Sequence, residues 1–194
     1  KKKLRIPENL YYVRARNSDI DKYVIQHSGE YLLYLENVKS FNDLPAKIQD
    51  HLNSHKTELQ KRAAYKRGNC DWWRYTWPLH REHFNKNKLY CPYLASSNRF
   101  ALDEKQVYLG LTDTTVLYDN DQAEDLKYFM GLLNSKLLTF RFRAIGKLKS
   151  NNIYEYFWNS ISKIPIKRLD LGNKDDASKH KSMVDMVSRQ IEYR

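Results

Sequence analysis

The stretch AEDLKYFMGLLNSKLLTF, residues 123–140, decides how the chain is read. Leu126, Phe129, Met130, Leu133, Leu137 and Phe140 recur at helical spacing, which predicts one amphipathic helix with a single apolar face. Upstream, residues 10–16 and 31–36 are short, apolar or alternating runs bounded by polar turns, and read as strands. Leu44, Ile48, Leu52, His55 and Leu59 return to the helical period, with Asp43 placed to N-cap, Pro45 in the first turn and Gly68-Asn69 closing the run, so a helix is predicted over 44–67. Residues 88–93, 99–102, 107–112 and 115–118 read as strands, the middle two forming a hairpin across Asp103-Glu104-Lys105. Downstream, residues 141–156 are basic, then Asn-rich and aromatic, and read as an exposed loop; 161–166 read as an edge strand around Pro165. A final helix over 178–193 carries Met183, Met186, Val187, Gln190 and Ile191 on one side, a face suited to a further part of a longer chain. Strands and helices come in groups rather than in βαβ alternation, so the expected class is α+β, with a mainly antiparallel sheet, packed helices and a C-terminal helix. One domain over 1–170 and a linker with its helix over 171–194 are the expected divisions.

Composition narrows the function. The 194 residues carry 34 Lys+Arg against 23 Asp+Glu, a net charge of +11, and aromatics at 13 % are spread along the chain, so a folded, basic domain is expected rather than a disordered tail. No run approaches the ~18 apolar residues of a membrane span, and Lys1-Lys2-Lys3-Leu4-Arg5 leads into no apolar segment, so a cytoplasmic location with no membrane partner is expected. Cys70 and Cys91 are too few for a disulfide framework. The absence of an initiator Met suggests a piece of a longer polypeptide.

The charge is segregated. Residues 56–99 hold ten Lys/Arg against Glu58, Asp71 and Glu82, interleaved with Tyr65, Trp72, Trp73, Tyr75, Trp77 and Phe84. Residues 136–149 hold Lys136, Arg141, Arg143, Lys147 and Lys149 and no acid, whereas 101–135 between them hold seven acids and two lysines. Two basic segments that the fold can join suit a phosphate backbone, because each neutralised phosphate releases counterions; a solvated basic surface is the plainer alternative.

Catalytic patterns are missing. His80 and His83 with Cys70 and Cys91 lack the paired-cysteine spacing of structural zinc. Asp103-Glu104-Lys105 contains a carboxylate-x-lysine fragment, and with His80 or His83 a metal-dependent nuclease is the rival reading; a turn between strands explains the tripeptide better. No phosphate-cradling glycine motif and no nucleophile elbow occurs. A binding module, for nucleic acid or for an acidic protein, is the simpler account.

Several phrases together resemble the TaqI-like C-terminal specificity domain, the target-recognition domain of type II restriction–modification methyltransferases. Arg16-x-x-Asp19-Ile20-x-x-Tyr23 and Tyr31-Leu32-Leu33-Tyr34 resemble its entry. Leu44-Pro45, Arg62 and Trp73-x3-Trp77-Pro78-Leu79-x-Arg81 resemble its central helix and aromatic-basic stretch. Asn98-Arg99-Phe100-Ala101-Leu102-Asp103 resembles the following strands. The most specific signal is Leu132-Leu133-Asn134-Ser135-Lys136-Leu137-Leu138 followed some thirty residues later by Ile164-Pro165-Ile166, in order and spacing that hold over residues 11–168. The resemblance implies a non-catalytic domain that clamps double-stranded DNA opposite the methyltransferase domain of the same polypeptide. Catalysis on adenine, with S-adenosylmethionine, would lie upstream; no cofactor or metal is expected in this chain.

Candidate DNA-binding residues follow from type and placement. Arg74 and Arg81, seven apart, can meet a phosphate row or pair with Asp71 and Glu82. Asn98 and Arg99 have the side chains that read adenine and guanine edges, and equally suit a turn. Lys136 interrupts an apolar helix and reads first as a surface lysine. Arg141, Arg143, Lys147, Lys149, Asn151 and Asn152 form the best candidate reading loop, since base-reading elements must vary without disturbing a core. Trp72, Trp73, Trp77 and Trp158 are expected in the core, because duplex DNA offers no free base face.

Overall fold

The computed structural model describes residues 7, 10–77, 83–121 and 125–194. The chain divides into two compact units, residues 1–13 with 31–81 and residues 14–30 with 82–194.

In the first unit, β1 (Tyr11–Ala15, its last two residues in the second unit) pairs antiparallel with β2 (Tyr31–Leu33), Tyr11 opposite Leu33 and Val13 opposite Tyr31. The helix predicted over 44–67 is instead three pieces: α1 (Ala46–Ser54), α2 (Lys56–Leu59) and α3 (Ala63–Lys66). Asp43 belongs to a 3-10 turn at Phe41–Asp43, where its carboxylate accepts the Ser40 N–H, and Pro45 takes the N-cap of α1. The second break is at Arg62, whose backbone is extended at ψ 134°. Its guanidinium donates to the carbonyl of Leu59 at the end of α2 and to the loop carbonyls of Asp71, Trp72 and Arg74, which ties the break to the loop. Leu10, Leu35, Leu44, Ile48, Leu52 and Trp73 form the core, and Gly68 at φ 73° closes α3 in the left-handed region that glycine tolerates.

In the second unit the strands are β3 (Lys88–Pro92), β4 (Leu94–Ala95), β5 (Ala101–Asp103), β6 (Tyr108–Gly110) and β7 (Thr114–Tyr118). β3 is buried along its whole length because it pairs antiparallel with both β5 and β7, Leu89 lying opposite Leu102 and Leu117. The hairpin expected between 99–102 and 107–112 therefore does not form: the partner of β5 is β3. Asp103 turns the chain instead, accepting the N–H groups of Val107 and Tyr108, and forms a fully buried ion pair with Lys88 at 2.9 Å.

The stretch that decided the reading is two helices, α4 (Leu126–Leu133) and α5 (Lys136–Ile145). Asn134 ends α4; Ser135, at φ −65° and ψ 154°, is extended and its hydroxyl accepts the Leu138 N–H, N-capping α5. The two-residue interruption resets the helical phase. In α4 the buried residues are Tyr128, Met130, Gly131 and Leu133; in α5 they are Leu138 and Phe142, with Ile145 beside them. Leu137 and Phe140, expected in the core, point outward at 73 % and 74 % exposure.

The loop expected over 141–156 is also ordered secondary structure. After the end of α5 come β8 (Lys147–Ser150) and β9 (Ile153–Glu155), an antiparallel hairpin extended by β4, which pairs with β9. A Cβ on Gly146 would fall 2.8 Å from the Phe142 carbonyl oxygen, so the direct passage from α5 into β8 needs glycine. The edge strand expected over 161–166 is instead the end of α6 (Trp158–Ile161), which buries Ile161, followed by a non-helical segment that buries Ile164. α7 (Lys174–Glu192) starts four residues earlier than expected, because the Asn173 side chain accepts the N–H groups of Asp175 and Asp176. Its Met183–Val187 face packs on Gly131 of α4, where an added Cβ would meet the Met183 sulfur at 2.6 Å. The face reserved for a longer parent chain is thus covered by α4 of this unit, with Met186 left exposed. The fold is α+β with antiparallel strand pairing, and no helix among the described residues is long and apolar enough to cross a membrane.

Candidate nucleic-acid interface

Of the candidate residues, two are structural. Arg74, in the first unit, lies over the Trp73 ring at 4.3 Å and donates to the carbonyls of Glu36, Val38 and Lys39 and to the Asp71 carboxylate. Every arm of the guanidinium is engaged in tying its loop to the segment 36–39, so it is not the free groove contact that its sequence position suggested. Asn98 is completely buried: its amide donates to the Leu133 carbonyl at 2.6 Å and accepts from the Tyr156 hydroxyl at 2.9 Å. A residue that cannot reach solvent reads no base edge. Arg81 lies outside the described residues, as does His80.

The remaining candidates belong to the second unit and group around α5. Lys136 and Arg141 are exposed on it, and Arg99 is half-buried; among the described residues none of the three has an ion-pair partner. Arg143, exposed on the same helix, donates to the Ser96 carbonyl at 3.1 Å, which brings the end of α5 against the segment that carries Arg99. Burial, with Cys91 second, pushes the Tyr156 phenol well up, and the positive charges of Arg143 and Arg99 both oppose that shift.

Lys147 and Lys149 project from β8 onto one buried carboxylate, Glu155, at 3.6 and 3.0 Å. The Tyr93 hydroxyl also donates to Glu155; this bond first, and then Lys149, holds the Glu155 carboxyl below the usual carboxylate range. Its own bond to Glu155 raises Lys149. The two lysines are thus anchored and partly neutralised rather than free. Asn151 and Asn152 form the exposed hairpin turn, where Asn152 at φ 56° adopts the left-handed conformation that asparagine tolerates better than most residues.

Among the described residues, which exclude His80, no nuclease constellation assembles. His83 is buried, Glu104 pairs with Lys127 at 3.2 Å, and no group of three or more His, Cys, Asp or Glu among the described residues is placed to hold a metal. Tryptophan placement is mixed: Trp73 is in the core as expected, whereas Trp77 and Trp158 are about two-thirds or more exposed. Sequence periodicity also missed the outward face of α5, because it ran one helical phase through Asn134-Ser135.

A family model described as the TaqI-like C-terminal specificity domain matches residues 15–166. The type II methyltransferase M.HindII of Haemophilus influenzae strain Rd is 26 % identical over 147 residues, covering 72 % of this chain and 28 % of its own length. The type II methyltransferase M.HincII of Haemophilus influenzae is 26 % identical over 147 residues, covering 72 % of this chain and 29 % of its own. The chain therefore spans less than a third of the length of these curated relatives.

Proposed function

This chain belongs to the TaqI-like C-terminal specificity domain family, and from that premise we propose that it recognises a specific sequence in double-stranded DNA on behalf of a restriction–modification methyltransferase. The observation that carries the reading is the row of Lys136, Arg141 and Arg143 along α5, with Arg99 in the segment to which Arg143 is bonded, none of the four having an ion-pair partner among the described residues. Unpaired surface cations cost little to leave in water and supply phosphate affinity when DNA displaces their counterions. In this reading the chain supplies no catalytic group. The methyltransferase domain of the same polypeptide modifies adenine with S-adenosylmethionine, and no residue of this chain is assigned to that cofactor.

The full-length protein that carries this chain tests the reading. Its affinity for duplex DNA should fall with salt, with a log–log slope of about −0.9 per phosphate contacted. Replacing Arg141 and Arg143 together by Ala should make the slope shallower by up to about two such contacts. A duplex affinity independent of salt, or no affinity, would overturn the proposal. Methylation-site sequencing of cells that express the protein identifies the base and the site, and a modified cytosine would overturn the adenine assignment.

A further inference from the structure

α5 exposes an apolar ridge that no described part of the chain covers. Leu137, Phe140 and Ala144 stand at i, i+3 and i+7 and share the outward face, opposite Leu138, Phe142 and Ile145. Leu137 and Phe140 are 73 % and 74 % exposed, an arrangement with an unfavourable cost in water that calls for a partner. Cations stand on both sides of the ridge. By the 100° step of a helix, Lys136 and Arg143 flank it on one side and Arg141 on the other, and α5 carries no acidic residue.

Resting on the DNA-recognition reading above, we propose that α5 lies in the major groove of duplex DNA and that Leu137 and Phe140 read thymine through its 5-methyl group. The major groove admits an α-helix, and the thymine methyl is the apolar group on its floor. A ridge of Leu and Phe with Lys136 and Arg143 on one side and Arg141 on the other matches that groove, apolar at the centre and phosphate-lined at both walls. α5 can serve this way because its other face is fixed in the core by Leu138 and Phe142, and Ser135 caps its start, so the ridge is held rigidly.

The test uses the full-length protein. Preferred duplexes are selected from a randomised library, and each thymine in the preferred sequence is then replaced by uracil, which lacks only the methyl group. Loss of the methyl at one or two positions should weaken wild-type binding about three- to fivefold. Phe140→Ala and Leu137→Ala should abolish that sensitivity while the melting temperature and the salt slope stay at their wild-type values. Wild-type binding that ignores every thymine-to-uracil change overturns the inference, as do variants that keep the sensitivity. Loss of contact with the methyltransferase region in Phe140→Ala, with thymine sensitivity retained, overturns it in favour of a protein docking face. Failure of the wild type to bind any duplex in a salt-dependent way is a different result, and it removes the DNA-recognition reading itself.

Discussion

The Asn134 side chain is bonded to both backbone groups of Phe100, its carbonyl oxygen accepting the Phe100 N–H at 2.8 Å and its amide donating to the Phe100 carbonyl at 2.8 Å. This pair joins the end of α4 to the start of β5 across 34 residues. Beside it, Asn98 bonds the Leu133 carbonyl and Tyr156, so two buried asparagines tie the helix pair to the sheet.

Asn134→Ala should destabilise the protein by about 1–3 kcal/mol. The Phe100 N–H loses its partner in a buried site, whereas the Phe100 carbonyl keeps the Tyr23 N–H at 2.8 Å. Urea unfolding measures the loss. Asn134→Asp should be no better than Ala, because its second oxygen would face the Phe100 carbonyl; wild-type stability in either variant contradicts the assignment.

Arg74 and Arg141 should separate stability from binding. Arg74→Ala removes the bonds to Glu36, Val38 and Lys39 and the contact with Trp73, and should cost about 2–3 kcal/mol of stability. Its affinity for DNA per folded molecule should not change. Arg141→Ala should melt with the wild type and bind DNA more weakly, with a salt slope shallower by about 0.9. Thermal melting and fluorescence anisotropy of the two variants check the contrast.

The buried Lys88–Asp103 pair should behave as a unit. Lys88→Met strands the Asp103 carboxylate in the interior and should cost about 3–5 kcal/mol. Combining it with Asp103→Asn removes the stranded charge while keeping an acceptor for the N–H groups of Val107 and Tyr108, and should recover part of the loss. A double variant no more stable than Lys88→Met would show that the pair is not coupled.

Glu155→Gln should flatten the acid limb of the stability profile. With its folded-state pKa held low by Tyr93 and then Lys149, the Glu155 carboxylate contributes stability that is complete above the ordinary carboxyl value of about 4.5 and is lost as pH falls through the depressed one. Urea midpoints taken from about pH 7 to about pH 3 should therefore decline more in the wild type than in the variant. Parallel declines would exclude Glu155 as a source of the acid sensitivity. Lys149, raised by its own bond to Glu155, contributes on the alkaline side, where its stabilisation is lost as pH rises through the raised value.

Local chemistry was enough to read the α+β grouping, the approximate positions of β1, β3 and β7, the Asn134-Ser135 phrase and the basic character of residues 136–149, because strand period, helix period and charge are properties of neighbouring residues. Ser135 as an N-cap was legible too, had the helix been divided there: serine before Lys136-Leu137-Leu138 is a start signal inside an apolar pattern. What tertiary structure alone decided is which polar and apolar side chains are free. Arg74 and Asn98 have the right chemistry for DNA, yet carbonyls 35 to 38 residues away in sequence consume them. Glu155 claims Lys147 and Lys149 by the pairing of β8 with β9. Leu137 and Phe140 carry a core-like pattern and face outward, because the extended Ser135 after Asn134 interrupts the helix and resets the phase of everything after it, while Asn134 holds the end of α4 on Phe100. Periodicity records the order of apolar residues along the chain; only long-range hydrogen bonds set the phase in which that order meets the core.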